Sequence, residues 1–258
     1  MQLNFSIKEL PKLVFKFKAT IFITLLVLAA FVFFSNATYF IEVQQLLKLG
    51  LTSFQLQNAV HYMLIHVGYR HLAVNLVSLI AFSLVVEYCL GSRHAFAVFW
   101  ISGIISGIIY VLIYPNIALI GSSAGIAGLL GAGFVSDWKK SFKALIAMLI
   151  IVTFFVLPIT SGSFELFKKE IVEKEQIIEQ DLNQAIEQKD LNKAADLNKS
   201  LQETRQTIEQ TLEGEEFAGI TPTSNEIHAF GAIIGIAYAL ALKKDLLNLR
   251  KGLKQKQS

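Results

Sequence analysis

Six stretches of this 258-residue chain are apolar for 15 to 20 residues at a time: 20–36, 71–90, 95–114, 122–136, 142–159 and 227–242. A bilayer core about 30 Å thick is crossed by roughly 20 apolar residues in a helix. Hydrocarbon offers no partner to backbone N–H and C=O groups, so such runs must be helical. The expected fold is therefore all-α, a polytopic membrane bundle of six transmembrane helices. Only 17% of the residues are charged, against about 25% in soluble domains.

The charge is unevenly placed. Residues 164–226 hold 15 Asp/Glu against 7 Lys/Arg, a net of −8, which leaves 5 acidic and 16 basic residues elsewhere, a net of +11. The overall +3 averages two different surfaces and gives no argument for nucleic acid. Cys89 is the one cysteine. It excludes an intrachain disulfide, and no Cys/His metal motif is present.

Lys and Arg in short loops set orientation. Lys8, Lys12, Lys16 and Lys18 precede the first run, Arg93 follows the second, and Lys139, Lys140 and Lys143 follow the fourth. Lys243, Lys244, Arg250, Lys251, Lys254 and Lys256 follow the sixth. The opposite side carries Lys48 and Arg70 in its first loop and none in 115–121. Six spans with both termini cytosolic fit this pattern. The first run, with Ser35-Asn36-Ala37 after it, also has the outline of a cleavable signal peptide, but its removal would leave five spans and misplace the N-terminus. The organisation expected is a basic cytosolic segment (1–18), transmembrane helices one to five (19–160), an acidic extracytosolic insert (161–225), the sixth helix (226–243) and a basic cytosolic tail (244–258).

Within the insert, Ile171, Ile178 and Leu182, then Leu197, Leu201, Ile208 and Leu212, recur at steps of four or seven. That is an amphipathic helical pattern. No clear breaker lies between Asp181 and Asp196, so a coiled-coil-like hairpin and one long helix are both open. Lid, docking surface for a protein partner and passive spacer are all open as roles.

Polar groups inside spans are costly and face a bundle interior or a water-filled cavity. His71 and Asn75 share one face at the start of the second run, Ser123 opens the fourth and His228 opens the sixth. In the six-span topology these ends lie on the non-cytosolic side, so three helices bring four polar groups to one depth. Ser123 sits in Gly121-Ser122-Ser123-Ala124-Gly125, and Gly231 and Gly235 give the sixth helix a small face on which backbones approach closely. A serine becomes a nucleophile when a neighbouring base takes its proton, and histidine suits that near neutral pH. His71, Asn75 and backbone N–H groups could hold the oxyanion. Gly121-x-Ser123-x-Gly125 also fits the nucleophile elbow of soluble α/β hydrolases, but neither the preceding strand nor an acidic third member is visible.

The run from His66 through His71 to Asn75, the end Glu87-Tyr-Cys-Leu-Gly91-Ser92, the Gly121-Ser122-Ser123 triplet and His228-x-x-Gly231-x-x-x-Gly235 together resemble the rhomboid family. The resemblance covers about 50–160 and 225–243. It implies an intramembrane serine endopeptidase that cuts transmembrane protein substrates near the membrane surface. Ser123 would be the nucleophile and His228 the general base, while His71, Asn75 and the Ser123 N–H would form the oxyanion hole. His66, Gly121, Gly231, Gly235 and Glu87 would support them. No cofactor and no metal are implied, and Ser122 is dispensable in the Gly-x-Ser register. A non-catalytic relative that binds or escorts transmembrane clients is the alternative. A bacterial inner membrane is expected by analogy. The sequence departs from the family at Ala124, often Gly, and at Ala127, often aromatic. It also lacks a Trp-Arg pair in the first loop, where Gln55-Leu56-Gln57-Asn58 stands, and carries the long acidic insert.

Overall fold

The computed structural model describes residues 17–34, 48–115, 117–220 and 225–255. Most of the basic N-terminal segment, Ser35-Asn36-Ala37 and the last three residues lie outside them. Among the described residues seven α-helices follow in order: α1 (Lys18–Phe34), α2 (Tyr69–Leu90), α3 (Ser92–Ile113), α4 (Ser123–Ile151), α5 (Leu157–Glu187), α6 (Leu191–Ile220) and α7 (Asn225–Gln255). A π-helical turn, Val152–Val156, joins α4 to α5. Among the described residues there is no strand, only one isolated antiparallel bridge between Leu51 and Leu119.

Among the described residues four helical stretches are long and apolar enough to cross a membrane: Tyr69–Leu90, Ser92–Ile113, Ser123–Gly162 and Asn225–Lys244. The shorter apolar α1 joins them. The chain is thus a helical polytopic membrane protein. The third stretch, 40 residues long, is two segments, because Asp137 (φ −154°, ψ 92°) is extended where a helix would continue. A methyl on Gly133 would lie 2.8 Å from Ser141 Oγ. Eight residues of straight helix would hold those positions about 12 Å apart, so the chain folds back at Asp137. Tyr69 at the start of α2 donates to Thr160 O at 2.7 Å, and His71 of the same turn lies against Gly121. Residues 121 and 160 are therefore at the same end of the bundle, and the fourth and fifth runs form an antiparallel pair.

Apolar burial gives little drive between helices in lipid, so close packing of small residues and buried polar bonds hold the bundle. The first half of α4 sits centrally against α2, α3 and α7. α1 buries Ala19, Thr20, Ile23, Val27 and Phe31 along one stripe and exposes Phe22, Leu25, Val32 and Phe33, the face lipid would wet. The Glu87 carboxylate, buried in α2, accepts from Ala19 N and Thr20 N, both at 2.9 Å, and from Thr20 Oγ1 at 2.7 Å. These are orphan donors of the first turn of α1, and a carboxylate also suits the positive end of that helix.

The insert is a hairpin. α5 and α6 pack on each other, and Arg205 of α6 donates to Glu175 at 2.7 Å and to Glu179 at 3.2 Å on α5. The reversal falls at 188–190, where Lys189 takes φ +57°. The outgoing arm continues directly from the fifth apolar run, so insert and span share one helix.

Candidate active site

The loop before α4 is fixed on both sides. Leu51 and Leu119 exchange two N–H···O bonds of 2.9 Å, Gly121 N donates to Tyr62 O at 2.8 Å, and Tyr62 OH donates to Gly103 O at 2.6 Å. Gly121 has φ +102°, and a Cβ there would meet His71 Cε1 at 2.9 Å. Only glycine satisfies both the left-handed backbone and the close ring. That turn delivers Ser122 and Ser123 to the start of α4.

Ser122 is the N-cap of α4, yet its side chain caps nothing. A serine there normally accepts a hydrogen bond from the N–H of the second or third helical residue. Instead the fully buried Ser122 Oγ lies 3.3 Å from His66 Nε2 and 3.4 Å from Asn75 Oδ1. The first α4 bond is Ile126 N to Ser122 O, 3.0 Å, and the N–H groups of Ser123, Ala124 and Gly125 have no side-chain cap. Asn75 Nδ2 donates to His71 O at 3.0 Å, and the His66 and His71 rings meet edge to face with centroids 5.0 Å apart. His66, His71, Asn75 and Ser122 are one polar cluster beside Ser123.

α7 runs parallel to the first half of α4. A Cβ on Gly231 would overlap Ala124 O and lie 3.3 Å from Ala127 Cβ, and one on Gly235 would overlap Gly128 O. The small side chain of Ala127 is what lets Gly231 come so near. With Gly231 level with Ala124, His228, one turn earlier on the same face, comes level with Ser123 and the preceding turn. Ile227 beside it is buried with Tyr110 and Ala124, and His228 is within electrostatic reach of His71. Both Ser123 and His228 are half-buried. Among the described residues no hydrogen bond joins them.

Of the expected site residues, Ser123, His228, His71, Asn75, His66 and Gly121 gather at one end of the bundle, with Gly231 and Gly235 packing α7 behind them. Glu87 does not. It lies 16 residues from His71, about 24 Å along α2, where it holds α1. Ser122 was dispensable on sequence grounds and proves the most connected hydroxyl of the cluster. Its signal was its position before a helix start, a capping position that a motif reading passes over. Among the described residues no three His, Cys, Asp or Glu side chains group as metal ligands would.

Apolar helices enclosing a one-ended cluster of serine, histidines and asparagine define a polytopic membrane protein with a buried polar centre. The Rhomboid domain model matches residues 53–171, a little under half of the chain, and over that segment the chain is similar to the rhomboid family. The match includes His66, His71, Asn75 and Ser123 and ends before α7. The chain is also similar to Inactive RHOMBOID-like protein 8 of Arabidopsis thaliana, 32% identical over 101 residues, which are 38% of this chain and 29% of the relative. It thus spans less than a third of that relative's length. No solved structure matches the chain.

Proposed function

We propose that the chain is an intramembrane serine endopeptidase of rhomboid type, acting on transmembrane protein substrates. The observation that carries this reading is the uncapped start of α4. There a serine hydroxyl, free backbone N–H groups and the His71–Asn75 face adjoin, with His228 level on the parallel helix. In the proposed reaction Ser123 Oγ attacks the scissile carbonyl as its proton passes to His228. The tetrahedral oxyanion is held by the Ser123 N–H, Asn75 Nδ2 and His71. Collapse expels the amine, protonated by His228, and water then cleaves the acyl-serine by the same steps. Catalytic hydrogen bonds often tighten only with substrate bound, which accommodates the open Ser123–His228 pair.

Depth supports the substrate class. The segment 123–136 rises only about 21 Å, short of a core of about 30 Å. With Lys139 and Lys140 at one interface, Ser123 stays roughly 9 Å beneath the other. The Lys/Arg distribution supports cytosolic termini and an extracytosolic hairpin, and a bacterial inner membrane remains the proposed setting. The hairpin is proposed to select substrates by charge or to receive a protein partner.

A second reading, a non-catalytic rhomboid that binds or escorts transmembrane clients, is favoured by the unbonded Ser123–His228 pair and by the word inactive in its plant relative's name. A transmembrane reporter in proteoliposomes separates the two. Cleavage by the wild type and none by Ser123→Ala supports the protease, and capture without cleavage by both supports the escort.

A further inference from the structure

We infer that Ser122 is a positioning residue, whose hydroxyl sets the orientation of the Asn75 carboxamide for the oxyanion. The inference deepens the protease reading and rests on it.

The argument starts from proton counting. Asn75 Nδ2 spends one hydrogen on His71 O, at 3.0 Å, and has a second to give. That second hydrogen serves an oxyanion only while the amide keeps its present sense, with Oδ1 turned to Ser122. Ser122 Oγ, 3.4 Å away, is the donor to Oδ1. A buried amide oxygen without a donor is costly, so this hydroxyl penalises any rotation that takes Oδ1 away from it. The same oxygen lies 3.3 Å from His66 Nε2, whose ring partner Nδ1 is 3.2 Å from Leu64 O. A carbonyl accepts only, so Nδ1 carries a proton and the neutral ring presents Nε2 as an acceptor. The single hydroxyl proton is therefore shared between two acceptors, Asn75 Oδ1 on α2 at 3.4 Å and His66 Nε2 on the fixed loop at 3.3 Å, from a residue at the head of α4.

Three observations set this apart from a serine that merely fills space. Ser122 and His66 are fully buried, where an unserved polar group carries a penalty. Ser122 occupies an N-cap yet leaves the helix uncapped, so its hydroxyl is committed elsewhere and the N–H groups of the first turn stay open beside Ser123. Finally, Gly121 brings His71 against the same turn, so the loop, α2 and α4 are locked at a single point.

The test measures kcat and KM of the full chain in proteoliposomes against a transmembrane reporter, for the wild type, Ser122→Ala, Ser122→Thr, Ser122→Cys, Asn75→Ala and the Ser122→Ala, Asn75→Ala pair. Loss of an oxyanion donor costs about 100- to 1,000-fold; loss of its orientation alone is expected to cost about 10-fold in kcat, with KM within about twofold. Threonine should restore most of the rate. In the Asn75→Ala background, removing Ser122 should cost nothing further, because the group it orients is gone. A kcat for Ser122→Ala within about twofold of wild type, or a full multiplicative loss in the pair, overturns the inference. If Ser122→Ala does not fold, Ser122→Cys carries the test, since it keeps the volume with a weaker donor, and an unimpaired kcat there overturns it equally. A wild type that cuts nothing overturns the protease reading and the inference with it; a wild type that cuts while Ser122→Ala matches it overturns the inference alone.

Discussion

Gly231 of α7 lies so close to the carbonyl oxygen of Ala124 on α4 that a methyl group placed on it would overlap that oxygen. The contact is backbone on backbone, and it sets the height of His228 against Ser123. Gly231→Ala should therefore push α7 outward. Overpacking of this kind costs about 1–3 kcal/mol, so unfolding in detergent should shift by that amount, and reporter cleavage should fall further than Ala127→Gly, which only opens space. A Gly231→Ala variant with wild-type stability and turnover would mean that α7 is not held by this contact.

Ser123→Ala and His228→Ala should each abolish cleavage while leaving the protein folded, and the double variant should be no worse than either. Residues that act as one unit are non-additive in this way. A fluorophosphonate, which reports serine nucleophilicity directly, should label the wild type and neither variant. Labelling retained in Ser123→Ala would move the nucleophile to another hydroxyl.

His71→Ala and Asn75→Ala should slow turnover without ending it. One oxyanion donor is worth roughly 2.7–4 kcal/mol, about 100- to 1,000-fold, and Asn75→Ala should fall below that range because His71 and the Ser123 N–H remain. Unchanged kinetics in the His71→Ala, Asn75→Ala pair would remove both from the oxyanion hole.

Glu87 makes a different prediction. Its carboxylate accepts three donors from Ala19 and Thr20, and a buried donor left unpaired costs about 1–3 kcal/mol. Glu87→Ala should lower the unfolding midpoint and the yield ahead of turnover, and Glu87→Gln should do so less. A loss of kcat at full stability would instead tie Glu87 to the distant cluster.

These predictions draw unequally on sequence and structure. The apolar runs, the polar residues at their ends and the small face of Gly231 and Gly235 were readable because lipid leaves few solutions for such patterns. The break between the fourth and fifth runs was readable from the polar stretch after residue 136, but its form at Asp137 was not. One extended residue reverses the chain there, and a lone Asp carries no turn motif. The hairpin was left undecided because its turn uses Lys189 at φ +57°, where a glycine would have announced the break. Ser122 was missed because its partners come from a loop and a helix 47 to 56 residues away. Glu87 was assigned to the site by motif, whereas the geometry gives it to α1.

The hairpin leads to the last prediction. Residues 164–226 carry a net charge of −8, and their outgoing arm is the continuation of the fifth apolar segment. An acidic arm standing at the end of the bundle that holds Ser123 should repel substrates with acidic outer segments and attract basic ones, within a Debye length of about 8–10 Å at physiological salt. The arms pair through Arg205, Glu175 and Glu179, and a short Gly/Ser linker would replace 166–215. The shortened protein should still cut a small reporter that enters freely, while its preference for basic over acidic juxtamembrane substrates should shrink. The same preference in the full chain should fade as salt is raised from about 0.15 M toward 1 M, where the Debye length is about 3 Å. A folded deletion variant that cuts no substrate would make the hairpin part of the active site's framework, and the selector role would fall.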